Sequence, residues 1–129
     1  MLVTISRSSG QIGGTITAPP SKSMAHRAVL CAALAEGRSH ITNLEFSKDI
    51  SATLGAAGQL CAEVRTGPAD AVVEGLGHFR PLSAPVDCCE SGSTLRFLIP
   101  IASLTGQAVT FTGRGRLMER PQSVYETLY

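Results

Sequence analysis

The chain has 129 residues, enough for one domain with its own hydrophobic core and too few for two large domains. Apolar residues make up 43% of it and charged residues only 16%, which is typical of a packed α/β domain and excludes a disordered chain. The formal net charge of +1 provides no overall field for nucleic acid or an anionic membrane, so any preference for anions must be local. The longest apolar stretch (28–35) is far shorter than the ~20 residues that cross a bilayer, and the start resembles no signal peptide. We therefore expect a cytoplasmic protein.

The residue pattern predicts alternating strands and helices along the chain. Strands are predicted at 2–6, 11–18, 39–44, 61–65, 71–74, 86–88 and 107–112. Helices are predicted at 23–36, at 48–60 behind Ser47 as N-cap, up to about residue 104 after the 90–96 segment, and from Pro121 at a first helical position. Pro100 is expected to bend the third helix. This order predicts an α/β (α+β) fold with helices packed on a small mixed sheet.

The cysteines and histidines are not spaced as a metal site, because no CxxC pair is present and no histidine stands at ligand spacing. These residues are Cys31, Cys61, Cys88 and Cys89, with His26, His40 and His78. Cys31 lies within an apolar helical run and Cys61 follows another, so both are interpreted as small core residues. A reactive thiol at Cys89, beside a glycine-bearing turn, is the alternative interpretation for that residue. We expect no bound metal.

The segment 19–27 concentrates the features of an anion-binding site. Two prolines end an extended stretch, and Lys22 then precedes an apolar helical run. Ser23 and Arg27 are four residues apart and therefore share one helix face. A helix N-terminus adds unpaired N–H groups and a partial positive charge. Together these groups predict a receptor for a phosphate or a carboxylate.

Two later segments repeat this chemistry. Gly92 allows close approach of the backbone to a ligand, with Ser93 and Arg96 on the helix that follows. The 113–121 segment carries Arg114, Arg116 and Arg120 in a glycine-bearing loop. Taken singly, the first could be an ordinary helix cap and the second a solvated basic loop. Neither GxxxxGK[ST] nor GxGxxG occurs, so we expect no nucleotide cofactor, and the three segments together predict a site for small phosphorylated acids.

The three segments closely resemble, in order and approximate spacing, the amino-terminal third of the 5-enolpyruvylshikimate-3-phosphate (EPSP) synthase family. The matching residues are Pro20-Ser21-Lys22-Ser23 with Arg27, Glu90-Ser91-Gly92-Ser93-Thr94-Leu95-Arg96, and Leu117 with Glu119-Arg120-Pro121. The resemblance implies two similar domains, each built from three βαβαββ units. Residues 1–129 would then be the amino-terminal part of the first domain, one unit and part of a second.

The resemblance also implies the reaction, which transfers the enolpyruvyl group of phosphoenolpyruvate to the 5-hydroxyl of shikimate 3-phosphate and releases phosphate. By this likeness Lys22 would be catalytic and contact both substrates. Ser23 and Arg27 would hold shikimate 3-phosphate, and Gly92 and Arg120 would bind phosphoenolpyruvate. The family requires no metal or cofactor.

Three further residues would support the site without touching substrate, namely Glu90, Ser93 and Arg96, and by resemblance Arg96 would brace the glycine loop. Glu90 stands where many family members have asparagine; a carboxylate there repels phosphate unless Arg96 or Lys22 pairs with it, so we expect a buried ion pair. Cys89 replaces a usual glycine.

Two alternatives remain open. UDP-N-acetylglucosamine enolpyruvyl transferases share the fold and the donor, but the loop at 113–120 lacks their usual catalytic cysteine. The second alternative is a folded anion-binding fragment without activity of its own, which would complement the missing remainder of the enzyme. We expect the isolated chain to be inactive, because in the family most acid and base groups come from the other domain. Neither nucleic acid nor a membrane is an expected partner.

Overall fold

A computed structural model describes residues 2–6, 10 and 13–129, in which helices and strands alternate. The elements are α1 (Lys22–Leu34), β1 (Glu36–Thr42), α2 (Lys48–Leu60), β2 (Ala62–Thr66), β3 (Asp70–Leu76), β4 (Val86–Asp87), α3 (Gly92–Ala102), β5 (Phe111–Thr112), a 3-10 turn (Gly115–Glu119) and α4 (Ser123–Leu128). From the first helix onward, the predicted order of elements is confirmed. No helix within residues 13–129 combines the length and the apolar character needed to cross a bilayer.

In the part of the chain that the structure describes, the strands form two small sheets. β3 lies between β1 and β2 and pairs antiparallel with both, while β4 and β5 form a separate parallel pair. The chain between β4 and β5 contains α3, as a parallel pair requires a crossover connection. The parallel and antiparallel pairings expected in one mixed sheet therefore belong to two sheets.

The core lies where α1, α2 and α3 pack with the sheets. Its largest fully buried side chains include Val29 of α1, Ile50 and Leu60 of α2, Val73 of β3 and Leu98 of α3. Alternate residues of β3 are buried, as expected for a strand with one face covered by helices. This packing sets the positions of the three long helices, and therefore of their N-termini.

The two strands predicted before α1 are wrong for the described residues. Residues 2–6 and 13–18 form no strand, while 7–9, 11 and 12 lie outside the described part of the chain. Leu2 and Ile5 are 95% and 91% exposed. A strand needs a hydrogen-bonding partner, and neither sheet pairs with these described residues. Up to β3, the described residues therefore show the order αβαββ, without the strand that the resemblance places first.

Three local predictions also need correction. Cys31 is exposed rather than in the core, because α1 turns the face containing His26, Val29 and Ala33 inward. The first helix ends at Leu34, before the predicted stop, since the chain becomes extended there and enters β1.

At the other end of the chain, α4 begins at Ser123 with Gln122 as its N-cap residue. Pro121 consequently lies before the helix rather than at its first position. Pro100 does lie within α3, as predicted, and Cys61 is buried.

Candidate functional site

The N-terminal turn of α1 presents Lys22 beside the first turn of α2. Ser21 caps α1, with its Oγ accepting a hydrogen bond from the Met24 N–H at 3.3 Å. Lys22 is the first helical residue, and its ammonium forms an ion pair with Asp49 of α2. Asp49 lies in the first turn of α2, where a negative charge is favourable to the helix dipole. The ion pair shows that it also holds the Lys22 side chain at the α1 terminus.

Arg27 is held one turn further along α1 by two contacts. Its Nη1 donates to the main-chain oxygen of Ser23 at 2.8 Å, so the shared helix face predicted from their spacing is confirmed. Its guanidinium lies over the ring of Phe97 in α3, with Cζ 5.1 Å from the ring centroid. Within the described residues, the Ser23 hydroxyl and the other Arg27 N–H groups have no partner. Those donors are available to an anion.

The N-terminus of α3 faces Arg120. Ser91 caps α3 by accepting from the Thr94 N–H at 3.1 Å, and Gly92 is the first helical residue. A β-carbon on Gly92 would lie 2.5 Å from Arg120 Nη1, so the guanidinium occupies the space that the absent side chain leaves. The fold thus brings together Gly92 and Arg120, two predicted ligand residues that are distant in the sequence.

Asp49 joins the starts of the three long helices. Its side chain pairs with Lys22 of α1, and its main-chain oxygen lies 3.1 Å from the Thr53 hydroxyl and 3.4 Å from the Thr94 hydroxyl of α3. The first turns of α1, α2 and α3 are therefore neighbours. Adjacent helix N-termini carry several unpaired N–H groups and partial positive charge, a combination suited to anions.

Glu90 and Arg96, two of the residues expected to support the site, do not form the ion pair predicted from the sequence. Glu90 is exposed and forms no ion pair among the described residues, so the expected buried pair with Arg96 or Lys22 is wrong; Lys22 is held by Asp49 instead. Arg96 accepts a bond from the Tyr125 hydroxyl at its main-chain oxygen, at 2.9 Å. Its guanidinium makes no hydrogen bond or ion pair within 13–129, and its support of the glycine loop stays a prediction.

Ser93 is exposed on the first turn of α3, and its hydroxyl also has no partner in the described part of the chain. Cys89 has φ +52, the left-handed conformation that glycine adopts most easily. The turn expected at this position is therefore formed with cysteine in place of glycine.

The three arginines of the third segment separate in the fold. Arg114 pairs with Asp87, while Arg116 is exposed and has no ion pair among the residues described. A hydrogen bond from the Cys89 N–H, together with Arg114, lowers the pKa of Asp87 below its usual value. Arg114 is occupied by this contact. Of the three arginines, Arg120 is the one that lies against the N-terminus of α3.

Two sizeable cavities lie away from Lys22 and Arg120. One of 720 Å³ is lined by α2, β2 and Arg80 and contains no predicted site residue. Another, of 530 Å³, includes Glu90 and Arg114 but neither Lys22 nor Arg120. In the described residues, no group of three or more His, Cys, Asp and Glu side chains could hold a metal ion. Lys22 and Arg120 instead line two separate small cavities, of 120 and 110 Å³, at the start of α1 and beside α3.

The class of protein is an α/β unit in which cationic side chains lie at adjoining helix N-termini, and comparison with known proteins defines the family. The family model for EPSP synthase (3-phosphoshikimate 1-carboxyvinyltransferase) matches residues 6–128, so the chain belongs to the EPSP synthase family. The chain is 44% identical over 119 residues to the 3-phosphoshikimate 1-carboxyvinyltransferase of Clostridium kluyveri, covering 92% of this chain and 28% of that protein. It is 43% identical over 127 residues to that of Clostridium beijerinckii, with 93% and 29% covered.

Solved structures agree with this assignment. The EPSP synthase from Acinetobacter baumannii superposes with a TM-score of 0.81 at 26% identity, over 88% of this chain and 27% of that one. The expected α/β fold of this family is confirmed. The chain spans between a quarter and a third of the length of the relatives it matches.

Proposed function

We propose that this chain provides part of the active site of an enzyme that transfers the enolpyruvyl group of phosphoenolpyruvate to the 5-hydroxyl of shikimate 3-phosphate. A new C–O ether bond forms and inorganic phosphate is released. The observation that carries the proposal is the arrangement of Lys22, Arg27 and Arg120 at the adjoining starts of α1 and α3. Membership of the EPSP synthase family supports it, and favours it over the UDP-N-acetylglucosamine enzymes.

Shikimate 3-phosphate would bind at the start of α1. Phe97 and the Ser23 carbonyl orient the Arg27 guanidinium, which leaves further N–H groups for the phosphate ester. The Ser23 hydroxyl and the Lys22 ammonium add two more donors nearby. Because Arg27 is already oriented, little side-chain entropy is lost when the ligand binds.

Phosphoenolpyruvate would bind at the start of α3. Backbone N–H groups of the first turn, beginning at Gly92, would contact its phosphate, and Arg120 lies against the same terminus. Lys22 would lie between the two ligands and act as the catalytic cation. Fixed positive charges offset the repulsion between two anions and lower the entropy lost in bringing them together.

The transfer also needs an acid for the enol carbon and a base for the hydroxyl. The nearest carboxylate to Lys22 in the described residues is that of Asp49, which is engaged in the ion pair. We therefore propose that the acid and base come from the remainder of the enzyme, which is the partner expected for this chain. The cytoplasmic location expected from the sequence stays a prediction.

A residue-resolved NMR titration tests the proposal, with shikimate 3-phosphate, phosphoenolpyruvate and inorganic phosphate as ligands. We expect saturable shifts at Lys22, Ser23 and Arg27 with shikimate 3-phosphate, larger than those with inorganic phosphate. Lys22→Met should weaken binding of either substrate at least about tenfold, the loss of one charged hydrogen bond. Lys48→Met is the matched control, because Lys48 is likewise the exposed first residue of its helix. Unchanged titrations in Lys22→Met would contradict the proposal.

The second candidate, a fragment that binds anions without turnover, is favoured by the chain's coverage of only 28% of one relative's length. Mixing the chain with the carboxyl-terminal remainder of an EPSP synthase distinguishes it from a catalytic half. Phosphate release that appears only in the mixture, and that Lys22→Met abolishes, would support the catalytic role. Silence with a correctly folded remainder would leave substrate binding as the function.

A further inference from the structure

A continuous line of buried polar side chains connects α1 to the cap of α3. Nδ1 of His26 lies 2.7 Å from Oγ1 of Thr53, which lies 2.7 Å from Oγ1 of Thr94. The Thr94 hydroxyl in turn donates to Oγ of Ser91, also at 2.7 Å. All four side chains are at most 1% exposed. We name them the buried relay: His26, Thr53, Thr94 and Ser91.

The hydrogen count assigns a direction to the buried relay. Each hydroxyl has one hydrogen. Thr94 can donate to Ser91 Oγ at 2.7 Å or to the Asp49 carbonyl at 3.4 Å, and we place its hydrogen in the shorter contact. Thr94 then has no hydrogen for its 2.7 Å contact with Thr53, so Thr53 donates there; its only other acceptor besides His26 among the described residues is the Asp49 carbonyl, at 3.1 Å. Either use leaves Thr53 with no hydrogen for His26. We therefore assign His26 as the donor, with a proton at Nδ1.

The surroundings of His26 favour the same state. Its Nε2 is buried and has no hydrogen-bond partner among the described residues, so a proton there would be an unsatisfied buried donor. Burial lowers the pKa of His26 most strongly; Asp49 raises that pKa, and the charges of Lys22 and Arg27 lower it further. The ring also lies 6.4 Å from that of Phe97, which supports Arg27.

We propose that His26 is a positioning residue, whose Nδ1–H orders the buried relay and so holds the cap of α3 beside the start of α1. Ser91 caps the helix whose first residue is Gly92, so the relay sets where those backbone N–H groups point relative to Lys22. The effect of this ordering on substrate binding rests on the proposed function. Neither Thr53 nor Thr94 would contact substrate, since both are fully buried.

Two substitutions at one position test the role of Nδ1. The side-chain amide nitrogen of asparagine can take nearly the place of Nδ1, whereas that of glutamine reaches nearly the place of Nε2. We expect His26→Asn to stay within about threefold of the unmodified chain in affinity for phosphoenolpyruvate, and His26→Gln to lose about tenfold, as for a broken buried hydrogen bond. His26→Gln should also shift the Thr94 amide signal, which reports the bond to Ser91, more than His26→Asn does. Equal effects of the two variants on both readouts would overturn the inference.

Two further measurements separate positioning from general support of the fold. Nitrogen-15 spectra of the unmodified chain should show a neutral His26 ring protonated at Nδ1, and protonation at Nε2 would overturn the inference without any variant. Thr53→Val should weaken binding as His26→Gln does, and the double variant should lose no more than Thr53→Val alone. Additive losses would contradict a single line of hydrogen bonds. If phosphoenolpyruvate fails to bind the unmodified chain, the proposed function is wrong. The tautomer of the His26 ring and the shift of the Thr94 amide signal still test whether His26 orders the buried relay.

Discussion

Gly92 and Arg120 fit together so closely that the guanidinium occupies the place of a side chain that Gly92 lacks. A β-carbon there would lie 2.5 Å from Nη1 and 3.7 Å from Cζ of Arg120, with Leu117 Cδ1 at 3.9 Å. The conflict involves the end of a flexible side chain rather than backbone. An added methyl group would therefore displace the arginine and leave the fold intact.

We predict that Gly92→Ala weakens phosphoenolpyruvate binding about tenfold by moving Arg120 away from the α3 terminus. Calorimetric titration with phosphoenolpyruvate measures the effect. In the Gly92→Ala background, Arg120→Ala should cost little more, because the arginine is already displaced. Arg116→Ala, at an exposed arginine of the same segment, should bind normally. A Gly92→Ala chain with undiminished affinity would contradict the assigned role of Arg120.

A second prediction concerns Gly75, where β3 passes against the end of α1. A β-carbon at Gly75 would lie 1.7 Å from the main-chain oxygen of Ala35 and 2.8 Å from that of Ala32. Backbone cannot yield as a side chain can, so Gly75→Ala should lower the free energy of unfolding by ~1–3 kcal/mol or more. Denaturant unfolding provides the measurement.

Gly55→Ala is the matched control for Gly75→Ala. Gly55 lies within α2, and apart from its chain neighbours and the helix's own backbone no atom would come within 4 Å of its β-carbon. Alanine is the better helix former, so this variant should be ~0.5–1 kcal/mol more stable. If both substitutions change stability by the same amount, the close approach of β3 to α1 is not the cause.

The four thiols should differ in reactivity. Burial, with contributions from Asp87 and Cys89, raises the pKa of Cys88 to about 11, and burial also raises that of Cys61. Cys31 is exposed. At pH ~8 a disulfide reagent should modify Cys31 on the order of 100-fold faster than Cys88, since the thiolate reacts. Cys31→Ser should remove the fast phase of modification. If Cys88 is still modified rapidly in that variant, the buried position of Cys88 at the end of β4 is contradicted.

The fourth prediction is a dependence of stability on pH that His26 causes. Its folded pKa lies below the ordinary 6.5, mainly because the ring is buried. Above pH 6.5 the ring is neutral in both states; as the pH falls below 6.5, only the unfolded chain takes up the proton. The contribution of His26 to the free energy of unfolding is thus present above 6.5 and is lost as the pH falls toward the folded pKa, by up to ~1.4 kcal/mol per pH unit.

Comparison with His26→Asn isolates this effect. Asparagine does not titrate, and the contributions of the other histidines and the carboxylates are common to both chains. The stability difference between the two should shrink as the pH falls from ~7.5 to ~5. A difference that stays constant over this range would show that His26 titrates alike in the folded and unfolded chain.

Several elements could be predicted because their signals are local. Ser47 and the periodicity that follows it predict α2 at 48–60, which matches the observed helix. The first helix is predicted from residue 23, one residue after its observed start, and the spacing of Ser23 and Arg27 places them on one face. Caps and helical faces depend on residues within a turn or two of each other, so a single sequence contains them.

Other predictions were wrong because they depend on contacts between residues that are distant in the sequence. The residues at 2–6 have the alternation of a strand but find no partner strand among the described residues. Cys31 lies in an apolar run, yet helix packing turns it outward. The sequence indicates only that His26 is not spaced as a zinc ligand. Its hydrogen bond to Thr53 is not predicted, because Thr53 lies on another helix.

The sequence by itself determined the order of the elements from the first helix onward, the starts of α1 and α2 to within a residue, and the presence of cations near two helix starts. Only the tertiary structure decided which cation meets which helix. Asp49 reaches Lys22 across 27 residues, and the 3-10 turn brings Arg120 rather than Arg114 to Gly92. Such pairings depend on how the helices pack and on which carboxylate already holds a neighbouring arginine, and no short stretch of sequence contains both partners.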